Sequence, residues 1–224
     1  MYIFDKMEKM QQFPQEPEKQ GMTSNPTYSQ RKRAAILDAA AEEFRAHGFR
    51  ETSMDRVAEV AQVSKRTVYK HFPSKDDLYR AITHELVLRE HYSIDASYNK
   101  KQRLRPQLMR IATHEVEAFS SETYLATIRV LLAEAFRSPE IVQKAVQDLP
   151  ANGGAVFKWI TAAIDDGRLQ VEDPQLASLQ LMSLLKGVLF WPRAMSMQSA
   201  VSKQQQVQII ASAVDMFLDH YEVG

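Results

Sequence analysis

Residues 64–75 read Ser64-Lys65-Arg66-Thr67-Val68-Tyr69-Lys70-His71-Phe72-Pro73-Ser74-Lys75, and this stretch decides the fold of the chain. It holds four cationic side chains, no acidic one, two aromatic rings and a histidine. Apolar residues recur at helical spacing on both sides of it. A helix that packs one face and lays the other on phosphates and base edges needs this composition. The stretch therefore predicts a helix that contacts nucleic acid.

The bulk composition of the 224-residue chain is that of an ordinary globular protein, with 45% hydrophobic and 25% charged residues. Its formal net charge is zero, so any affinity for nucleic acid must come from a local patch. The absence of cysteine excludes disulfides, thiolate zinc sites and cysteine nucleophiles, and it agrees with a cytoplasmic location. No apolar run is long enough for a membrane span, so no membrane partner is expected.

The hydrophobic pattern predicts an all-α chain. From residue 30 onward apolar residues recur at helical spacing, and the alternation typical of strands is nearly absent. Residues 1–28, rich in Gln, Glu, Pro, Lys and Ser, are expected to form a flexible tail. A helix-turn-helix domain is assigned to residues 29–75 and a second helical domain to residues 76–224, with a linking helix over about 75–93. The further helices are predicted over 104–120, 123–136, 139–148, 151–166, 174–191 and 203–221.

Two short helices and the turn between them form the predicted helix-turn-helix unit. Ser53 is expected to cap the bracing helix over 54–61, and Ser64 to cap the reading helix over 65–71. Pro73 ends the reading helix because its ring disfavours the helical conformation at the preceding residue. In such a unit the second helix enters the major groove of DNA, while the first braces it across the backbone.

The polar side chains of this unit differ in what they can reach. Lys65, Lys70 and Lys75 suit phosphates as point charges. Arg66 and Thr67 stand at the start of the reading helix, where an arginine can pair bidentately with guanine. Serine hydroxyls and the polar tips of Tyr and His can add further contacts. The predicted DNA-binding residues are Ser53, Ser64, Lys65, Arg66, Thr67, Tyr69, Lys70, His71 and Lys75.

Some of these residues, and others along the chain, also fit roles other than DNA binding. A basic helix face is often only a solvated face, and the spacing of the surrounding residues, rather than the charge, favours DNA. Arg31-Lys32-Arg33 could touch phosphates or only solubilise a helix start. His114-Glu115 begins like a metalloprotease motif, but Ala118 stands where the second ligand is needed. No enzyme activity, metal or cofactor is therefore expected.

The run from Arg31 to about Leu86 resembles the N-terminal domain of TetR-family transcriptional regulators. The resemblance implies an all-helical homodimer, a palindromic operator in double-stranded DNA, and a C-terminal domain that binds a small effector and dimerises. Phe190-Trp191-Pro192-Arg193 resembles a feature of the AefR-like branch of that family. The matching residues of the N-terminal run are Ile36-Leu37-Asp38-Ala39-Ala40, Phe44, Gly48-Phe49, Thr52-Ser53-Met54, Val57-Ala58, Ala61, Val63-Ser64-Lys65, Thr67-Val68-Tyr69, His71-Phe72 and Lys75-Asp76-Asp77-Leu78.

The predicted function is that of a sequence-specific repressor, released from its operator by a small apolar or amphipathic effector. An alternative remains open, in which the C-terminal bundle is a protein-interaction module without a small-molecule effector. The aromatic residues of that bundle could form the core, the dimer interface or the lining of an effector pocket. The candidate pocket residues are Phe119, Tyr124, Phe136, Phe157, Trp159 and Trp191.

The last two predicted helices, 174–191 and 203–221, are expected to pair with their symmetry mates in a four-helix dimer interface. Such an interface needs apolar side chains along one side of each helix. The apolar residues that predict it on the last helix are Val207, Ile210, Ala211, Val214, Phe217 and Leu218.

Two positions depart from the family pattern. Gln62 stands in the turn where many relatives carry glycine, so Gln62→Gly is predicted not to destabilise the protein. Arg66 stands where relatives often have a small residue, so the operator of a relative cannot be transferred to this chain. Arg66→Ala is predicted to relax sequence preference, and Lys75→Ala to weaken binding to all DNA sequences about equally.

Overall fold

The computed structural model describes residues 27–92, 95–147 and 154–223, and within these ranges the chain forms eleven helices and no strand. The all-α prediction is confirmed. Residues 1–26 of the predicted tail lie outside the described residues. The predicted end of one helix at residue 148 and the predicted start of the next at residue 151 also lie outside them. The helices are α1 (Tyr28–Glu51), α2 (Met54–Val60), α3 (Lys65–His71), α4 (Lys75–Tyr92), α5 (Leu104–Ser120), α6 (Glu122–Ala135), α7 (Pro139–Gln147), α8 (Ala155–Asp165), α9 (Pro174–Leu189), α10 (Trp191–Ala194) and α11 (Lys203–Tyr221).

Helix α1 begins at a capping box and is interrupted at a glycine. The Thr27 hydroxyl accepts a hydrogen bond from the Gln30 amide at 3.2 Å, and the Gln30 side chain accepts one from the Thr27 amide at 2.7 Å. Gly48 has a φ of 81°, a left-handed conformation that glycine adopts without steric penalty. Gly48 therefore interrupts the regular helix, and one further turn leads into α2.

Both short helices carry the predicted serine caps. Ser53 Oγ accepts from the Arg56 amide at 3.1 Å, and Ser64 Oγ accepts from the Thr67 amide at 3.2 Å. Val57 of α2 and Val68 of α3 are fully buried. The caps mark where the helices start, and both valines lie in the hydrophobic core of this part of the chain.

The turn between α2 and α3 gives a first testable prediction. Gln62 has a φ of 53°, a left-handed backbone conformation that costs a non-glycine residue about 1 kcal/mol. Glycine removes this strain but adds freedom to the unfolded chain, so we expect Gln62→Gly to leave the melting temperature unchanged or slightly higher. Thermal unfolding, monitored by circular dichroism, measures the melting temperature. Gln62→Ala is the control, because alanine keeps the strain. A clear drop for the glycine variant alone would contradict this account of the turn.

The helices enclose two hydrophobic cores that meet along α4. We call α1–α3 the head and α5–α11 the body. Leu78 and Tyr79 of α4 are buried in the head core, and Leu131 of α6 reaches the same core from the body. The buried Tyr79 hydroxyl donates to the Leu131 carbonyl at 2.8 Å. Burial raises the pKa of Tyr79 to about 12, and Glu134 adds to the shift. The domain boundary at residue 75 stays a prediction.

The body core surrounds a fully buried tryptophan. Trp159 of α8 donates its ring N–H to Gln107 Oε1 at 3.3 Å, and Tyr98 packs against it edge-on. The amide group of Gln107 in turn donates to the carbonyls of Asn99 (2.9 Å), Gln102 (3.2 Å) and Arg103 (3.1 Å). One buried glutamine therefore fixes the polar loop before α5 onto the core.

The structure corrects two predictions about the last helices. The predicted helix 174–191 breaks at Phe190, where ψ is −61° and φ is −108°, and the short α10 follows with Pro192 in its first turn. Of the six residues of the last helix that were predicted to form the dimer interface, four are buried in the body core of the same chain. They pack inward because α11 lies against α5 and α9. The four residues are Ile210, Val214, Phe217 and Leu218.

Candidate nucleic-acid interface

The reading helix α3 presents one polar face to solvent. Arg66, Tyr69 and Lys70 are exposed, and their spacing of three and four residues places them on one side of the helix. Val68 points the other way and is fully buried. The predicted division of α3 into a packed and a reading face is present in the geometry. The assignment of individual DNA contacts stays a prediction.

The cations of the candidate interface differ in whether the protein already pairs them. Lys65 Nζ lies 2.5 Å from Asp55 Oδ2 in α2. Arg66 and Lys70 have no hydrogen-bond or ion-pair partner among the residues that the structure describes. Because the charges of Arg66 and Lys70 are not neutralised, we expect them to contribute most to DNA affinity.

Lys75 has a structural role that the sequence did not indicate. Its ammonium donates to the carbonyls of Arg50 at 2.8 Å and Thr52 at 2.9 Å, and lies 4.7 Å from the ring centroid of Phe49. Desolvation by burial lowers the pKa of Lys75. Two of its three donors thus tie α4 to the last turn of α1 and to the residue that follows the helix. Lys75→Ala is therefore expected to lower stability as well, and Lys70→Ala is the cleaner test of a phosphate contact.

The remaining predicted contacts lie around the two helix starts. The Ser64 and Thr67 hydroxyl oxygens are 2.8 Å apart, so these side chains share a hydrogen bond at the start of α3. Ser53 is exposed at the start of α2, and its cap bond leaves the hydroxyl hydrogen available to a phosphate. His71 is half-buried at the end of α3. The structure places all of these groups in the same helix-turn-helix unit.

Sequence reasoning missed the acidic residues that organise this surface. Arg56 Nη1 lies 2.8 Å from Glu59 Oε2, and its Nε lies 3.5 Å from the buried Glu43. The hydrogen bond to Glu59 raises the pKa of Arg56. Asp55 and Lys65 are ten positions apart on different helices, so no local pattern predicts their pairing.

The pairing of Asp55 with Lys65 gives a second testable prediction. Asp55→Asn removes a carboxylate and releases the Lys65 ammonium for a phosphate. Exposed ion pairs contribute about 0.2–1 kcal/mol, so we expect binding to random DNA to become tighter by up to about fivefold, with little change in stability. Fluorescence anisotropy at several salt concentrations measures this. Asp38→Asn, an exposed carboxylate of α1, controls for net charge. Equal gains in both variants would contradict a local effect.

The aromatic residues predicted to line an effector pocket fall into separate environments. Phe119 and Tyr124 pack edge-on against Phe190, with ring centroids 5.7 and 5.9 Å away, and Trp191 lies 4.8 Å from Phe190 and is 44% exposed. This group is called the aromatic cluster below. Phe136, by contrast, is 77% exposed at the end of α6. The fully buried Trp159 packs with Tyr98 instead, and Phe157 is half-buried on α8.

The described residues contain neither a metal-binding cluster nor a membrane-spanning helix. No group of three or more His, Asp or Glu side chains in these ranges is arranged to hold a metal ion. None of the described helices has the length and apolarity needed to cross a membrane.

The fold and the basic reading helix define a helix-turn-helix DNA-binding protein, and comparison with known proteins gives its family. Residues 36–82 match the model for bacterial regulatory proteins of the tetR family, and residues 106–223 match the model for the C-terminal domain of AefR-like transcriptional repressors. The chain belongs to the TetR family of transcriptional regulators. It is a DNA-binding regulator and not an enzyme, as predicted.

Individual relatives agree with this assignment. A TetR-family regulator from Pseudomonas syringae pv. tomato, known from its crystal structure, is 36% identical, with a TM-score of 0.71 over 87% of this chain and 98% of that chain. The regulator YhgD of Bacillus subtilis is 25% identical over 163 residues, which cover 71% of this chain and 83% of YhgD. The regulator RutR of Escherichia coli is 29% identical over 153 residues, 64% of this chain and 67% of RutR.

Proposed function

We propose that the protein is a homodimeric, cytoplasmic repressor that binds a palindromic operator and is released by a small apolar or amphipathic effector. The observation that carries operator binding is the α3 face, on which Arg66 and Lys70 lack partners among the described residues. Two such helices on a twofold axis would enter successive major grooves about 34–36 Å apart. Repression follows if the bound dimer blocks access to the promoter.

Exposed apolar side chains on α9 and α11 support a dimer. Leu179, Val188 and Met216 are 48%, 49% and 58% exposed, although each is strongly apolar. An apolar groove of about 510 Å³ runs between the two helices. A patch of this kind on neighbouring helices marks a protein contact, and self-pairing across a twofold axis would bury it on both copies at once. The groove is lined in part by Leu176, Leu179, Leu184, Met216 and Tyr221.

The aromatic cluster supports an effector site. It reaches the surface at Trp191, and the Lys186 ammonium lies 5.6 Å from the ring centroid of Phe119 and 5.9 Å from that of Phe190. Rings beside a half-buried cation suit an amphipathic molecule with an apolar body and one polar or anionic group. We therefore assign the effector to this cluster rather than to Trp159 or Phe136.

Helix α6 connects the aromatic cluster with the head. Tyr124 at its start belongs to the cluster. One turn further, Thr127 accepts a hydrogen bond from Arg45 of α1 at 3.2 Å, and Leu131 accepts the bond from Tyr79. An effector that binds better when α6 is displaced would therefore disfavour this head position. Differential affinity for two conformations is the condition for release.

Selection of bound sequences from a random DNA pool tests the proposed function. The expected result is a palindromic consensus whose affinity falls steeply with salt, bound by a dimer in size-exclusion chromatography with light scattering. Binding without a consensus, or a monomer at micromolar concentration, would overturn the proposal.

A screen of apolar and amphipathic compounds tests the effector. Saturable thermal stabilisation together with operator release supports an effector, because a ligand of the native state raises its melting temperature. Trp191→Ala should weaken this response, whereas Phe136→Ala should not. Operator binding without any responding compound would favour the protein-interaction alternative.

A further inference from the structure

A cationic cleft lies where the head meets the body. It has a volume of about 320 Å³ and opens between the end of α1 and the end of α6. Its apolar lining includes Phe44 and Phe49 from the head and Val130 from the body. Four arginines line the same cleft, two from each side of the contact: Arg45, Arg50, Arg129 and Arg137.

Three of these arginines carry charge that no carboxylate balances. Arg45 donates to the Thr127 hydroxyl at 3.2 Å, and Arg129 donates to the carbonyls of Ala194 at 3.2 Å and Arg193 at 2.8 Å. These acceptors are neutral, so they orient the guanidinium groups and leave the positive charge in place. The Arg137 guanidinium group has no polar partner within the described part of the chain.

The carboxylates of the cleft compensate only part of this charge. Glu134 is buried, accepts a hydrogen bond from Ser138 Oγ at 2.8 Å, and lies 3.6 Å from Arg50 Nη2. Glu51 is exposed and forms no ion pair with a described residue. Four guanidinium groups thus face two carboxylates, a formal excess of two positive charges. His47 also lines the cleft, but its imidazole lies 3.2 Å from Glu43, which lies outside it.

We infer that this cleft binds a small multivalent anion carrying phosphate or carboxylate groups. Guanidinium groups present planar pairs of donors that match both kinds of oxygen, and oriented, uncompensated arginines gain most from such a partner. Arg45 and Arg50 belong to the head, while Arg129 and Arg137 belong to the body. The anion therefore bridges the two and holds the head in its present position. The site shares no lining residue with the aromatic cluster, so it is distinct from the proposed effector site.

Calorimetric titration of the full-length protein with citrate, and separately with inorganic phosphate, tests the site at ionic strength held constant with sodium chloride. We expect saturable binding to the unmodified protein that Arg137→Gln weakens about tenfold or more, the equivalent of one charged hydrogen bond. Arg137 makes no contact that folding needs, so this variant should fold normally. Arg45→Gln provides a second test from the head side.

Arg103→Gln is the matched control, because Arg103 is also exposed and lacks a side-chain partner among the described residues but lies outside the cleft. Phosphate and citrate stabilise many proteins by exclusion from the surface, and that effect would be equal in all variants. Equal responses in Arg137→Gln and Arg103→Gln, or no saturable binding, would overturn the inference. Weaker operator binding by Arg137→Gln without anion binding would also overturn it and assign the arginine to the DNA backbone. If Arg103→Gln still binds the operator while the anion test fails, the inference about the cleft is wrong but the proposed function is not affected.

Discussion

Arg66→Ala is expected to weaken binding to the consensus operator roughly 5- to 150-fold, or about 1–3 kcal/mol, and binding to random DNA far less. The reason is geometric. Arg66 stands in the first turn of α3 with a free guanidinium group, where a bidentate pair with guanine is within reach. Anisotropy titrations on the consensus, on single-base variants and on random duplexes measure the change. The variant should discriminate less at the base pair that Arg66 contacts.

Lys70→Ala is the control for this prediction, because it lies one turn further along the same exposed face. A lysine on a phosphate contributes charge without sequence information, so its loss should weaken all duplexes about equally. It should also reduce the slope of log affinity against log salt concentration by about 0.9. If Arg66→Ala and Lys70→Ala cause equal losses on consensus and random DNA, the division between base and phosphate contacts is wrong.

Trp159→Ala is expected to lower the free energy of unfolding by about 3–5 kcal/mol, the usual loss when a large buried aromatic side chain is truncated. Trp159 is fully buried, and its removal leaves a cavity in the body core. It also removes the donor to Gln107 Oε1 and the ring against which Tyr98 packs. Domains of this kind are stable by about 5–15 kcal/mol, so the loss is a large part of the total. Urea denaturation measures it.

Trp159→Phe separates the two parts of this effect. Phenylalanine keeps most of the ring volume and loses the N–H donor, so we expect a loss of about 1–3 kcal/mol, smaller than for alanine. Equal losses in the two variants would show that the hydrogen bond to Gln107, and not the filled volume, dominates. An exposed Trp159 in the folded protein, detected by fluorescence quenching, would contradict the described core.

The features that could be predicted from the sequence are those that depend on neighbouring residues. The predicted serine caps at Ser53 and Ser64 are confirmed, because a serine hydroxyl satisfies a backbone amide two or three residues further on. Helix α11 has the predicted bounds. The reading helix was found for the same reason, since its cap, its buried valine and its basic face lie within eight residues.

The remaining features depend on contacts between distant parts of the chain. Apolar spacing on α11 shows that a face must be covered, but it does not show whether the same chain or a second copy covers it. Val214 and Phe217 were therefore assigned to the wrong partner. The bonds of Lys75 to two carbonyls and the pairing of Asp55 with Lys65 join residues on different elements, and no periodicity encodes them. The cationic cleft combines residues more than 70 positions apart.

The carboxylate beside Lys65 also bears on how many molecules of the regulator a cell needs. A genome offers roughly 10⁶–10⁹ competing sites, and these act as a reservoir that withdraws a regulator from its target. Asp55 already forms an ion pair with Lys65, one of the cations of the interface that could hold the protein on such sites, and the net charge of the chain is zero. We therefore expect these competing sites to retain the protein weakly, so that a low copy number is enough to keep the target occupied.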